Sequence, residues 1–295
     1  MTTKYEVQLE GVHAQDLSFG VLRDLAELVV EGASRAARLA AEGRSTARGG
    51  APVWLGEAGD VRLVGLREGS LVLDVTARPL AEVVPGVFPA GTGETALDLL
   101  MSAVDDALQG RRDSERLDLG MLQTLVKVRA LFGRGARSLQ LTRVGGASVK
   151  LAEPAAERFL RLATETPPSR IDRIVGHLDS LTMSTRTCLL KLFDGTSLRG
   201  NVGTSVDLDH LKSCLGSDVV VEGLISFRPS GRPQRVEIDH AAAAQARDVL
   251  WMQTPHGELP GDQLAIPTHE LAPYFGQWPG DEDDEQVFAA LRDLS

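Results

Sequence analysis

The stretch from Ile171 to Asp239 constrains the fold most, because its apolar residues fall into five short segments separated by turns. Between the third and fourth segments, apolar residues recur at three-and-four spacing, which indicates a helix. The predicted strands are Ile171–Leu181, Cys188–Phe193, Leu198–Val202, Val219–Phe227 and Val236–Ile238, and the predicted helix is Val206–Leu215.

The turns of this stretch support the strand assignment. Asp194-Gly195 between the second and third strands is a strong hairpin signal, and Pro229-Ser230-Gly231 turns the chain before the fifth strand. Gly176 and Gly223 lie inside long strands, where glycine often marks a bulge or a bend. Three strands, a helix and two strands in this order are typical of an oligonucleotide/oligosaccharide-binding (OB) barrel. We therefore predict an OB-like β-barrel at residues 171–240; the alternative is a small antiparallel sheet with a helix on one face.

Residues 1–165 mix strands and helices and predict a separate α+β domain. Pro167-Pro168, within residues 166–170, suits a stiff linker between the two domains. The predicted elements are strands at Tyr5–Leu9, Val61–Leu66, Leu71–Ala77, Ser138–Thr142 and Ala147–Leu151, and helices at Leu17–Glu42, Leu97–Leu108, Leu117–Phe132 and Pro154–Thr164. Pro79–Gly93 is predicted to be a loop.

Residues 241–295 form an acidic C-terminal extension in this prediction. They hold two arginines and ten acidic residues, whereas Arg170–His240 carries nine residues of each sign and is neutral. The net charge of −10 therefore comes mainly from the extension and argues against a non-specific nucleic-acid binder. The alanine-rich segment Ala241–Met252 predicts a helix, and the proline-containing segment after it predicts extended chain.

Composition and the N-terminus favour a cytoplasmic protein without a membrane segment. No apolar run approaches the ~20 residues that span a bilayer, and the first residues lack the layout of a signal peptide. Two cysteines without metal-ligand spacing indicate a reducing compartment.

The end of the extension resembles a known family. The segment Phe275-Gly276-x-Trp278-Pro279-Gly280-Asp281-Glu282, followed by a short predicted helix, is similar to the C-terminal tails of some bacterial antitoxins that are paired with PIN-domain toxins. In that family the tail lies across the toxin and blocks it. The resemblance implies that Phe275 and Trp278 are anchors and that Asp281 and Glu282 are polar contacts. The alternative is a tail that packs on this protein's own barrel.

Residue patterns for catalysis or for a metal or other cofactor are absent from the sequence. Six histidines occur singly, without the spacing that zinc or iron sites use. Cys188 and Cys214 lie on apolar faces and are expected to be buried rather than nucleophilic. The acidic run Asp281–Glu285 could attract a cation or form a solvated helix start. We expect a protein that is not an enzyme and has no cofactor.

Single-stranded nucleic acid is the alternative ligand, because barrels of this kind bind strands with aromatic residues on strands two and three and with basic loops. The candidate residues are Lys191, Phe193 and Arg199 on those strands, with Arg228, Arg232 and Arg235 between the fourth and fifth strands. Phe193 and Phe227 are the two aromatic residues that could stack on bases. The arginines could also be solvent-facing residues that protect a sheet edge from pairing.

The sequence thus predicts an α+β protein in which a barrel and an acidic extension follow a mixed N-terminal domain. The expected function is that of a non-enzymatic interaction protein, antitoxin-like, which binds a protein partner such as a PIN-type toxin through its tail. The alternative is a single-stranded nucleic-acid-binding module that uses the barrel.

Overall fold

The structure is a computed structural model that describes residues 2–13, 15, 17–47, 50–67, 70–245, 248 and 252–257. The chain divides into two units, Met1–Gly257 and Glu258–Ser295. The described residues belong to the first unit, which is a mixed α+β structure containing a closed five-stranded β-barrel. The predicted partner-binding residues Phe275, Trp278, Asp281 and Glu282 lie outside the described residues.

A five-stranded antiparallel sheet forms the first half of this unit. Its strands are β1 (Thr3–His13), β2 (Arg62–Arg67), β3 (Ser70–Ala77), β4 (Ser138–Arg143) and β5 (Ser148–Ala152). They run in the order β2-β3-β1-β4-β5. Tyr5, Val7 and Leu9 of the central strand β1 are buried and alternate with less buried residues, so one face of the sheet covers the core.

Helices pack on that face and complete the first hydrophobic core. They are α1 (Phe19–Glu42), α2 (Val53–Ala58), α3 (Leu80–Val83), α4 (Ala96–Leu108), α5 (Leu119–Val126), α6 (Val128–Gly133) and α7 (Glu153–Glu165). The longest helix, α1, starts where the Ser18 hydroxyl accepts a 3.3 Å hydrogen bond from the Val21 amide. It ends at Gly43, which has a φ of 72°. This is the left-handed conformation, which glycine adopts without strain.

Two predictions in this half differ from the structure. The predicted helix Leu117–Phe132 is divided at Lys127 into α5 and α6. The first of these starts at Asp118, whose carboxylate accepts a hydrogen bond from the Met121 amide at 2.7 Å. The predicted loop Pro79–Gly93 contains the short helix α3.

The second half of the unit is the barrel, which has its own hydrophobic core. Its strands are β6 (Arg170–Thr182), β7 (Thr187–Lys191), β8 (Ser197–Val202), β9 (Asp218–Phe227) and β10 (Pro233–Ala243), and α8 (Leu208–Ser213) lies between β8 and β9. The closed order is β10-β8-β7-β6-β9, with β8 and β10 parallel and the other neighbours antiparallel. This arrangement is consistent with an OB-like barrel.

Close backbone contact between β9 and β10 explains the glycine inside the fourth barrel strand. A Cβ atom on Gly223 would lie 1.8 Å from the Glu237 carbonyl oxygen. The pairing of these two strands also shifts register between Pro233 and Arg235 and between Ile238 and His240. Such irregularities bend strands, as closure of a small barrel requires.

The prediction of a helix starting at Ala241 was wrong for its first three residues. Ala241–Ala243 continue β10 and pair with Val219–Val221 of β9. Alanine favours helix locally, but here the backbone hydrogen bonds of an adjacent strand override that preference. Residues 246–247 and 249–251 of the predicted helix lie outside the described residues.

The segment between the two cores is partly buried rather than fully exposed. The Thr166 hydroxyl donates to the Leu162 carbonyl oxygen at 2.6 Å, and Pro167 is buried. A Cβ atom on Gly257 would lie 2.5 Å from the Cβ atom of Pro167 and 2.9 Å from the Phe227 ring. Gly257, the last described residue, therefore packs against the segment before the barrel and against the last residue of the fourth barrel strand.

We expect Gly223→Ala to lower the free energy of unfolding by about 2 kcal/mol or more, because the new methyl group meets a backbone carbonyl that cannot move without shifting β10. Urea unfolding measures the change. The matched control is Gly56→Ala on the exposed side of α2, where a Cβ meets nothing within 4 Å. This control should raise stability by about 0.5–1 kcal/mol. Equal effects of the two substitutions would contradict the close approach.

Candidate ligand-binding clefts of the barrel

A cleft of about 1030 Å³ lies between the outer face of β7 and β8 and the helical layer of the first half. We call it the barrel cleft. Leu189, Ser197 and Arg199 line it from the barrel, and Leu39 of α1 and Leu99 of α4 line it from the helices. Its volume and its mixed apolar and polar walls suit a small organic ligand or part of a polymer.

The loop Gly110–Arg116 closes one side of the barrel cleft and is held by Asp106 of α4. This aspartate is only 3 % exposed, and its carboxylate accepts from Arg111 at 2.8 Å, Ser114 at 2.6 Å and Arg116 at 3.1 Å. A buried carboxylate needs such partners, because burial without them is costly. The three bonds therefore fix the loop in place beside the barrel. The sequence prediction did not identify Asp106, which lies within an otherwise apolar helical pattern.

The β9–β10 hairpin binds this loop. Arg228 donates to the Asp113 carbonyl oxygen at 3.0 Å and to the Glu115 carboxylate at 3.4 Å, and Arg232 pairs with the Asp113 carboxylate at 3.6 Å. The Gln234 amide donates to the Glu115 carbonyl oxygen at 3.3 Å. Two of the three arginines predicted to contact phosphates thus make contacts within the chain.

Arg235 lies in β10 rather than in the turn, which corrects the prediction that all three arginines share one loop. It is 4 % exposed, and its Nε has no hydrogen-bond partner among the described residues. Burial, followed by the positive charge of Arg44, lowers the pKa of Arg235 to about 10. The strand register places it beside Arg199 of the parallel strand β8.

Lys191, Phe193 and Phe227, also considered for nucleic-acid binding, do not line the barrel cleft. Lys191 is exposed at the end of β7 and pairs with Asp179 at 2.6 Å. Phe193 is 53 % exposed in the turn between β7 and β8. Phe227, considered as a second stacking residue, is 2 % exposed and lies under the Arg170 guanidinium at 5.5 Å. Its ring belongs to the barrel core and therefore cannot stack on a base.

Arg199 is the candidate that reaches the barrel cleft without a partner. It is exposed on β8, and within the described part of the chain it makes no ion pair or hydrogen bond through its guanidinium. The outer face of strands two and three is where OB barrels bind their ligands. The structure therefore brings Arg199 and Arg228 to one cleft and leaves Lys191 and Phe193 elsewhere.

A second cleft, of about 590 Å³, lies on the β9–β10 side of the barrel. We call it the arginine cleft, because Arg235 lines it together with Arg44, the second residue after α1. Arg44 pairs with Glu237 of β10 and with Glu42 of α1. The Arg44–Glu237 pair joins residues that are far apart in the sequence, so no local sequence pattern predicts it.

Both cysteines are buried, as predicted. Burial raises the pKa of the Cys188 thiol to about 11, and its side chain lies against Gly200 inside the barrel.

Among the residues that the structure describes, no group of three or more His, Cys, Asp or Glu side chains could hold a metal ion. Within the same residues, no helix has the length and apolar character needed to cross a bilayer.

Comparison with known proteins identifies no relative. No family model matches the chain, and no curated protein and no solved structure matches it either. The resemblance of the C-terminal segment to antitoxin tails therefore stays a prediction.

We expect both cysteines to resist alkylation in the folded protein. At pH 8 a thiol with a pKa of about 11 is a thiolate in about one molecule in a thousand, against roughly a quarter for an ordinary cysteine. Mass spectrometry after iodoacetamide treatment should detect almost no modification in native buffer and two modifications in concentrated urea. Rapid labelling of Cys188 in native buffer would contradict its burial.

Proposed function

We propose that this chain is a non-enzymatic interaction protein that binds a protein partner through its C-terminal segment, Glu258–Ser295. The supporting observation is that the compact unit ends at Gly257, whose amide donates to the Gly231 carbonyl oxygen at 2.8 Å. The segment that follows carries nine acidic residues and one arginine, together with Phe275 and Trp278. These 38 residues carry a net charge of −8, out of −10 for the whole chain.

The composition of the segment suits recognition of a basic protein surface. Aromatic residues are over-represented among the residues that dominate binding energy, which makes Phe275 and Trp278 the proposed anchors. Asp281 and Glu282 would steer association with a positively charged partner and fix its orientation. The resemblance to antitoxin tails makes a PIN-type toxin ribonuclease the partner class that this proposal names.

Deletion of residues 258–295 tests this proposal. The shortened chain keeps Gly257 and its contacts with Pro167 and Gly231, so its melting temperature should change by no more than about 2 °C. Binding to a PIN-type nuclease encoded beside this chain, measured with purified proteins, should weaken at least a hundredfold.

The full-length double variant Phe275→Ala/Trp278→Ala gives a matched test without truncation. It should lose at least tenfold in affinity, because two aromatic anchors are removed. The control Phe19→Ala removes an exposed aromatic residue at the start of α1 and should bind normally. Equal binding by the shortened chain and the full chain would refute the proposal.

Single-stranded nucleic acid is a second candidate ligand, supported by the OB-like strand order and by Arg199 in the barrel cleft. The observation that favours it is an exposed guanidinium without a partner among the described residues, on the strand where such barrels bind ligands. The engagement of Arg228 and Arg232 by the chain itself leaves few cations for phosphate contacts, so this candidate ranks second.

We expect weak binding of a short oligothymidylate at low salt if this second function holds. Arg199→Ala should weaken it several-fold and reduce the slope of log affinity against log salt by about 0.7, which corresponds to one phosphate contact. Fluorescence anisotropy measures both quantities. Arg62→Ala on β2 is the control, since Arg62 is exposed, pairs with Asp60 and belongs to the other sheet. Absence of binding at low salt would eliminate this candidate.

A further inference from the structure

The charges of three arginines interact where β8, β10 and the end of α1 come together. Arg44 and Arg235 line the arginine cleft, and Arg199 lies on the side of the barrel cleft. Arg199 and Arg235 are register partners on the parallel strands, and the Arg235 Nη1 lies 2.9 Å from the position of a Cβ on Gly43. Arg44 is the next residue, and the charges of both Arg44 and Arg199 act on Arg235. Like charges repel at such distances, so a cluster of this kind is costly unless negative charge compensates it.

Arg235 lacks a carboxylate partner of its own. No acidic side chain in the described part of the chain lies within 4.0 Å of its guanidinium, and its Nε is buried without a hydrogen-bond partner. Two acids, Glu237 and Glu42, act on Arg235 through their charge, but both already have partners. Glu237 pairs with Arg44, and Glu42 pairs with Arg38 at 3.1 Å and with Arg44 at 3.2 Å.

The remaining carboxylates of the arginine cleft do not supply the missing partner. Asp118 accepts from the Ser45 amide at 2.7 Å, the Ser45 hydroxyl at 2.6 Å and the Met121 amide at 2.7 Å. Asp239 is exposed to solvent. A buried arginine with no acid of its own is expensive to maintain, and an unpaired buried polar group in a native structure often marks a ligand or an ion.

The arginine cleft also offers neutral hydrogen-bonding groups and an apolar wall. Thr46, Ser169 and Ser226 line it, and Ile171, which is 71 % exposed, and Leu224 lie beside them. At about 590 Å³ the cleft is in the size range of small-ligand sites. Such walls suit a ligand that joins an anionic group to an apolar or aromatic body.

We propose that the arginine cleft binds a phosphate group, with Arg235 as the main ligand and with Arg44 and Arg199 contributing positive charge. The planar fork of arginine matches the oxygens of phosphate and makes strong charge-assisted hydrogen bonds. The phosphate could belong to a mononucleotide or to the backbone of a nucleic-acid strand, and both present the same oxyanion. The residues assigned to this site all belong to the unit Met1–Gly257, so the proposal goes beyond partner binding by the C-terminal segment.

Thermal unfolding in inorganic phosphate tests the site, with chloride buffers of equal ionic strength as reference. The full-length wild-type protein should gain stability with phosphate in a saturable way, because a ligand that binds only the folded state stabilises it. Arg235→Met should lose this response, with an apparent phosphate affinity at least tenfold weaker. In chloride this variant should be at least as stable as the wild type, since methionine removes an unpaired buried charge.

Two further variants separate the site from a general effect of salt. Arg62→Met removes an exposed arginine that pairs with Asp60 on β2 and should respond to phosphate like the wild type. Arg199→Gln changes an exposed side chain, which folding tolerates more readily, and should weaken the apparent affinity several-fold. The same phosphate response in wild type and Arg235→Met, or none in the wild type, would overturn the proposal.

Titration with a mononucleotide and with a short oligothymidylate distinguishes the two sources of phosphate. Tighter binding of the mononucleotide than of inorganic phosphate, lost in Arg235→Met, assigns the cleft to a nucleotide. Tighter binding of the oligothymidylate, lost in the same variant, assigns it to a strand backbone. Binding of either that is unchanged in Arg235→Met counts against the site.

Discussion

The attachment of the barrel to the loop Gly110–Arg116 is the contact on which the described unit depends. Arg228 and Gln234 donate to the carbonyl oxygens of Asp113 and Glu115, and Asp106 holds the loop from behind. A neutral hydrogen bond contributes only about 1 kcal/mol net, and the charged ones contribute more, so the contact is strong as a set. It creates the barrel cleft and fixes which strands face it.

This attachment determines how the positive charge of the barrel is used. In an isolated barrel, arginines between the fourth and fifth strands would be exposed to solvent or could contact phosphates. Here Arg228 and Arg232 neutralise Asp113 and Glu115 instead. Arg235 is buried against the end of α1. Among the described residues, Arg199 therefore has no partner at the barrel cleft, and the buried Arg235 has no acid partner.

The two proposals place binding in different parts of the chain, one in each of its two units. The described unit can hold a ligand between preformed walls, where Asp106 and the barrel strands limit rearrangement. The segment Glu258–Ser295 carries a different chemistry, with high negative charge and a few aromatic residues. In these proposals, binding in the clefts depends on the geometry of their walls, whereas binding by the segment depends on its charge and on Phe275 and Trp278.

The barrel strands could be predicted from the sequence because alternation, Asp194-Gly195 and the glycines inside strands are local signals. The burial of Arg235 could not be predicted in this way, because it depends on contact between the end of α1 and β10, which are almost two hundred residues apart in the chain. Phe227 shows the same limit. Its position at the end of β9 suggested a stacking residue, but the inward-facing register buried it. Ala241–Ala243 are helix-forming by composition and became strand through pairing with β9.

By itself the sequence determined the α+β composition, the order of strands and helix along the barrel segment, the burial of both cysteines and the net negative charge of the residues after the barrel. Those properties follow from periodicity, turn residues and counting, all of which act over a few neighbouring positions. Only the tertiary structure decided which of the described arginines form ion pairs or hydrogen bonds within the chain, because the fold brings their partners together from distant parts of the sequence.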